Sequence, residues 1–308
     1  MACFDCPREC KVGSFCGKDP AFIRVAKVMR HVYEEPIICP ADKGCGAVFF
    51  SHCSLKCCYC QNYTISHLGD GQDLTLDDLA KIFKKLEKSG VENIDLVTPT
   101  HQTSNIVKAL DKAKVSIPVV WNTSGYERVE NIEKLKDYAD IFLFDFKYYS
   151  PQLSIELSKA PDYFDVCMRA LKRAREMIPR DVIENGIMKK GIIVRHLILP
   201  SHTDDSIKIF QAIKQSIGTD VYVSIMSQYS PFYKAKEHAD INRLLKPLEI
   251  KKVELAVRNM GFTKGLPRVL FRTCQVAVRS IRQILVRTSF GKCDYCKNRI
   301  FYANFTHF

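Results

Sequence analysis

Long apolar runs are missing from this 308-residue chain. The best candidates, such as residues 141–144, are strand-sized and fall far short of the ~18 residues of a membrane span, so no membrane partner is expected. The opening Met1-Ala2-Cys3-Phe4-Asp5-Cys6 lacks the basic start and apolar stretch of a secretory signal, which makes the cytoplasm the expected compartment. No P-loop is present, no G-x-G-x-x-G opens a helix, and no Ser–His–Asp order suggests a nucleophilic triad. No internal repeat or low-complexity tract breaks the chain. What remains is a globular composition, 46% hydrophobic, long enough for one large α/β domain or two small ones.

Cysteine, by contrast, is abundant and unevenly placed. Ten of the fourteen lie in the first sixty residues, at 3, 6, 10, 16, 39, 45, 53, 57, 58 and 60. In a reducing compartment, thiols clustered at short spacing point to metal more often than to disulfides. Charge is uneven too. Of the net +12, residues 268–308 carry +7, so the body is near balance and the high pI belongs largely to the tail. An argument for nucleic-acid binding would concern only that tail.

Between these ends, strand-like and helix-like segments alternate. Strands are expected over 46–51, 93–97, 117–121, 141–144, 191–197 and 221–225. Helices are expected over 76–88, 104–114, 129–138, 164–178, 205–216 and 238–247. In the first helix Leu76, Leu79, Ile82, Phe83 and Leu86 keep helical spacing, Thr75 is placed to cap it and Gly90 to end it. About six β–α units with near-continuous apolar strands predict an α/β fold with a parallel sheet covered by helices. Periodicity fits a doubly wound sheet or a partial barrel equally. The polar residues that follow each strand favour the barrel, whose rim is where sites are built.

Cys53-Ser-Leu-Lys-Cys57-Cys58-Tyr-Cys60 carries the spacing C-x3-C-x2-C after the first of these strands. Three thiolates on one loop can each take a different iron of a [4Fe–4S] cubane. A zinc knuckle would need paired C-x2-C units. Routing the set through Cys58 instead would leave an x1 spacing, which aims adjacent side chains apart, so Cys58 reads as a small neighbour. With no fourth local ligand, one iron stays open to chelate the amino and carboxylate groups of S-adenosylmethionine (SAM). An electron carrier would prefer four cysteines.

The segment VFFSHCSLKCCYCQN (48–62) resembles the signature of radical SAM enzymes of the pyruvate formate-lyase activating type. EEP (34–36), LVTPTH (96–101), VVWNTSGY (119–126), IFLFDFKYY (141–149), APDYF (160–164), IIVRHLILP (192–200) and IMSQYSP (225–231) are similar to one branch of that group, over roughly residues 3–265. The resemblance implies a partial (β/α)6 TIM-type barrel with a Cys-rich N-terminal extension, a [4Fe–4S] cluster on Cys53, Cys57 and Cys60, and SAM across the strand C-terminal ends. It also implies an electron donor such as flavodoxin or ferredoxin, and as substrate a glycine of a glycyl-radical protein. A small-molecule radical SAM oxidoreductase is the alternative.

The resemblance also implies site residues, carried over by matching position. Thr98-Pro99-Thr100-His101 replaces the usual Gly-Gly-Glu, leaving Thr98 and Thr100 to meet the SAM ammonium. Asn122, Ser124, Asp145 and Lys147 are expected to face SAM, with Lys147 on its carboxylate. Of the adjacent Arg195 and His196, His196 is the expected site residue. Tyr59 and Asn62 flank the cluster.

Cys3, Cys6, Cys10 and Cys16 supply four thiols in the extension (1–45), enough for zinc or a second iron–sulfur cluster. Cys39 and Cys45 have no partner spacing and read as structural. The barrel is expected over 46–265. The basic tail (266–308), with Cys274, Cys293 and Cys296, reads as an extension of poor order from about Arg268 and not as a nucleic-acid-binding module.

Overall fold

The computed structural model describes residues 3–11, 14–17, 19 and 21–265. The tail expected to lose order from about Arg268 lies outside the described residues. Strand β1 (Ile23–His31) runs antiparallel to β2 (Cys45–Phe50). Helix α1 (Tyr63–Ser66), strand β3 (Gln72–Leu74), which pairs with β1, and helix α2 (Leu76–Lys88) lead to β4 (Ile94–Val97). The chain continues through α3 (Thr103–Ala113), β5 (Val119–Thr123), α4 (Val129–Lys134) and β6 (Ile141–Asp145). Helices α5 (Pro151–Ser158) and α6 (Tyr163–Met177) precede the hairpin of β7 (Val182–Glu184) and β8 (Ile187–Leu197). Helix α7 (Thr203–Ile217), strand β9 (Tyr222–Met226) and helix α8 (Pro247–Asn259) complete it.

Strands β2, β4, β5, β6, β8 and β9 are parallel neighbours in that order. Helical crossovers join them, which gives the α/β architecture of a partial (β/α)6 TIM-type barrel. Among the described residues no helix is long and apolar enough to cross a membrane.

Both faces of the strands are apolar, and alternation divides them. Phe50, Leu96, Trp121, Phe142, Phe144, Val194 and Val223 pack outward with the helices in the main core. Cys45, Val120, Ile141, Leu143 and Ile193 point into the lumen, where Ile38 and Cys39 of the segment 32–44 join them. That segment follows the end of β1 and fills the lumen from the N-terminal ends of the strands.

Several elements lie outside the sequence expectation, α1 and β3 among them, and four of the differences can be read locally. The helix expected over 238–247 begins instead at Pro247, whose missing N–H and fixed φ suit a first turn and not an interior. Helix α5 starts on Ser150–Pro151, an N-cap followed by proline at N1. The β7–β8 hairpin turns on Asn185-Gly186, both at positive φ, the signature of a two-residue hairpin loop. Strand β1 alternates buried and more exposed residues over its first half, within the stretch assigned to the extension.

Candidate functional site

The loop after β2 is clamped from two sides. Cys58 N–H donates to Leu157 O (2.8 Å) and Lys56 N–H to Ser158 O (3.3 Å), tying the loop to the end of α5. From the other side Arg8 Nε donates to Ser54 O at 2.9 Å. Each sulfur of the triplet has its own polar partner. Leu55 N–H donates to Cys53 Sγ (3.3 Å), Ser158 Oγ to Cys57 Sγ (2.9 Å), and Ser66 Oγ lies 3.1 Å from Cys60 Sγ.

Burial pushes the Cys53 thiol up to about 12, with the neighbouring Cys57 adding to it. Burial likewise raises Cys57 and Cys60, and Lys147 opposes the rise at all three. As free thiols they are neutral near pH 7. A bound metal is what would turn them into ligating thiolates.

Below the loop, a charged ladder descends through the lumen. Lys147 Nζ pairs with Asp145 Oδ2 at 2.9 Å, and Arg195 Nε with Asp145 Oδ1 at 2.7 Å. Arg195 also donates to Glu34 Oε1 and Asn122 Oδ1, each at 2.7 Å. Asn122 Nδ2 approaches Glu34 Oε2 (3.3 Å) and Asp95 Oδ2 (3.4 Å). Burial works against the charge on Asp145, but Arg195 and Lys147 more than offset it and hold the carboxyl below its ordinary range. Asp95 goes the other way: burial, then Glu34, push its carboxyl well above the ordinary range.

The expected residues divide on this geometry. Asp145, Lys147 and Asn122 come together in the lumen. His196 does not: it shares the outward face of β8 with Ile192 and Val194, Nδ1 bonding Phe146 O (2.7 Å) and Nε2 bonding Ser206 Oγ (2.8 Å). Arg195, one residue earlier, takes the inward place. Thr100 is also corrected. Its hydroxyl donates to Glu127 Oε1 (2.6 Å), on the outer side of β5 with Thr123 and Trp121. Tyr59 is a buried core aromatic whose hydroxyl lies 2.5 Å from that of Tyr148, so it offers SAM no polar group. Thr98 sits at φ +60°, its N–H donating to Asn122 O (2.9 Å). Ser124 Oγ is buried with no partner among the described residues. Asn62 precedes α1 without a side-chain cap bond, and its backbone N–H favours the Cys60 thiolate.

Residues that the sequence left unassigned complete the site. Ser158 donates to Cys57, so its oxygen accepts from Tyr148 (2.6 Å), whose own oxygen accepts from Tyr59. Glu34 and Asp95 extend the ladder downward. Of these, Glu34 and Tyr148 left a trace in the sequence, as parts of the EEP and IFLFDFKYY segments.

The N-terminal thiols also gather. Burial raises Cys6 to about 12, with Cys16, Cys3 and Cys10 adding to it, and Cys3 N–H donates to Cys10 O at 2.7 Å. Besides Arg8, the contacts of Asp5 O with Asn131 Nδ2 (2.8 Å) and of Glu9 with Arg128 (2.9 Å) fasten this segment to the barrel.

A sequence model of the radical SAM superfamily matches residues 47–213, more than half of the chain. The chain belongs to the radical SAM superfamily. Its relatives include the uncharacterised protein MJ0674 of Methanocaldococcus jannaschii, 35% identical over 237 residues, which are 73% of this radical SAM chain and 64% of that protein. The chain thus spans just under two thirds of that relative's length. Among solved structures, Streptococcus suis SuiB gives a TM-score of 0.43 at 13% identity, over 68% of this chain and 44% of SuiB. SuiB bound to S-adenosylmethionine gives 0.39 at 15% identity, over 60% and 40%.

Membership implies a [4Fe–4S] cluster and SAM. Among the described residues no three His, Cys, Asp or Glu side chains converge so as to bind a single metal ion. A cubane is broader and takes each thiolate on a different iron. The residues present fit it: three half-buried thiols on one loop, each with its own hydrogen-bonding partner, face a lysine and lie above a polar ladder.

Proposed function

We propose that this chain is a radical SAM enzyme, with Cys53, Cys57 and Cys60 holding the cluster and SAM lying across the C-terminal ends of β4, β5, β6 and β8. One observation carries the proposal: each of the three sulfurs has a separate polar partner, and Lys147 opposes the burial of all three. When bound, the cluster and SAM supply one-electron reduction and, from it, a 5′-deoxyadenosyl radical for hydrogen abstraction.

This chain's residues hold and orient. Lys147, kept protonated by Asp145, is the cation placed for the SAM carboxylate. Arg195 fixes Asp145 and Asn122 from below, so the rim acceptors are set before ligand arrives. The unpartnered Ser124 hydroxyl is available as a further donor or acceptor. After anaerobic reconstitution and reduction with dithionite, the protein should cleave SAM to methionine and 5′-deoxyadenosine. No cleavage by protein holding about four irons at this loop would sink the proposal.

In the same reading the hydrogen comes from a backbone glycine of a partner protein, and a flavodoxin or ferredoxin in the cytoplasm delivers the electron. The likeness of the loop and strand segments to activating enzymes supports this. Deuterium transferred into 5′-deoxyadenosine from glycine-labelled partner, and not from small molecules, is the expected result. We propose in addition that Cys3, Cys6, Cys10 and Cys16, which do not converge on a single ion in this structure, close around a second metal centre, zinc or iron–sulfur, when the metal binds. Metal analysis should find about four additional irons or about one zinc, lost in the Cys6→Ala variant while the Cys53 site keeps its iron.

A further inference from the structure

The base of the barrel carries two thiols that belong to neither cysteine group. Cys39 lies within the segment 32–44, and Cys45 opens β2 opposite His31, the last residue of β1. Their sulfurs lie 3.0 Å apart, about 1 Å beyond the bonded length of ~2.05 Å. Both approach a single carbonyl, His31 O, at 3.0 and 3.5 Å. Around them are Ile38, Val120, Ile141, Met188 and Ile193, with no competing thiol in that cluster.

We propose that Cys39 and Cys45 form a disulfide that locks the segment 32–44 into the base of the barrel. The pair is asymmetric in a way that suits exchange. The hydrogen bond between the two sulfurs lowers the Cys39 thiol, while that bond and burial raise Cys45. In a first step the Cys39 thiolate attacks one sulfur of a small-molecule disulfide such as oxidised glutathione, forming a mixed disulfide and expelling one thiolate. Cys45 then gives up its proton and attacks Cys39 Sγ, forming the Cys39–Cys45 bond and expelling the second thiolate. The two cysteines lose two electrons and two protons, and the glutathione disulfide is reduced to two thiols.

The consequence reaches the ladder above. Glu34 lies five residues before Cys39 and holds Arg195 at 2.7 Å. The segment is otherwise seated by reversible bonds, such as Met188 N–H to Ile37 O (2.8 Å) and Glu92 N–H to Gly44 O (2.9 Å). A covalent link fixes its middle and, through it, the height at which Glu34 meets Arg195. None of this rests on the radical SAM assignment.

Mapping by mass spectrometry tests it directly. The reconstituted full chain is equilibrated anaerobically in graded mixtures of reduced and oxidised glutathione, quenched in acid, alkylated after denaturation and digested with trypsin. Cleavage after Lys43 falls inside the loop, so peptides 31–43 and 44–56 stay joined only if the bond exists. The linked pair should rise with oxidised glutathione, with fragmentation placing the link at Cys45 and not Cys53, and should vanish in Cys39→Ser. Amide hydrogen exchange of 32–44 in the wild-type chain should slow at least several-fold on oxidation. Full alkylation of both cysteines in every mixture, a link to Cys53, or equal exchange rates in the two forms would overturn the proposal.

Discussion

Glu127 shows how one carboxyl can be made to serve packing. Its Oε1 accepts from Thr100, Thr123 and Trp121, while Oε2 is buried without a partner among the described residues. Burial outweighs those three donors and raises its pKa to about 7 from an ordinary 4.5. Between these values the folded state binds a proton that the unfolded state has released. Its contribution is therefore full below about pH 4.5 and is lost as pH rises to 7, by about 3 kcal/mol at most. Glu127→Gln should remove most of that decline, read as urea-unfolding free energies at pH 5 and pH 8; parallel pH profiles in the two proteins would refute the assignment. At Ser158 the readout is a potential. A hydrogen bond to a cluster sulfur stabilises the more negative reduced state, so Ser158→Ala should shift the midpoint of the reconstituted cluster to more negative values in an EPR-monitored titration. The three cysteines and the Asp145–Lys147 pair were legible because spacing and strand ends mark them. Arg195 was not: both faces of β8 are apolar, so nothing in Val194-Arg195-His196 says which residue looks inward.

Elements were easiest to read where a single face decides them. Helix α2 matches its expected span because its apolar stripe, its Thr75 cap and its acidic first turn all agree. The cap is reciprocal, Thr75 Oγ1 accepting from Asp78 N–H and Asp78 from Thr75 N–H. Thr75→Ala should cost about 1 kcal/mol, seen as a lower urea midpoint at unchanged slope, whereas an unchanged midpoint would mean the box contributes nothing. Helix α5 escaped notice since its pattern is short and nearly two-sided, yet it does more for the site than α2. Its last two carbonyls hold the cysteine loop, and its last side chain reaches Cys57.

For the whole molecule, core and site are separately built. The main core lies between the outer strand faces and the helices and takes in only Cys53 and Cys57 of the ligands, at its margin. Removing iron by chelation under reducing conditions should therefore leave far-UV circular dichroism nearly unchanged. The change should appear in faster hydrogen exchange over 53–62, where three neutral, half-buried thiols replace bound ligands. Loss of the helical signal on chelation would show instead that the metal centre holds the barrel together. The order of parallel strands could be anticipated because six β–α units leave few right-handed alternatives. The stopper at the base could not, because a loop that turns inward and one that covers the outside have similar sequences. That stopper has a consequence for traffic. With Ile38 and Cys39 wedged among Val120, Ile141 and Met188, the barrel is a cul-de-sac. Whatever is admitted at the cysteine end finds no way through that floor, and has to turn back to the rim or to the side where the sheet does not close on itself.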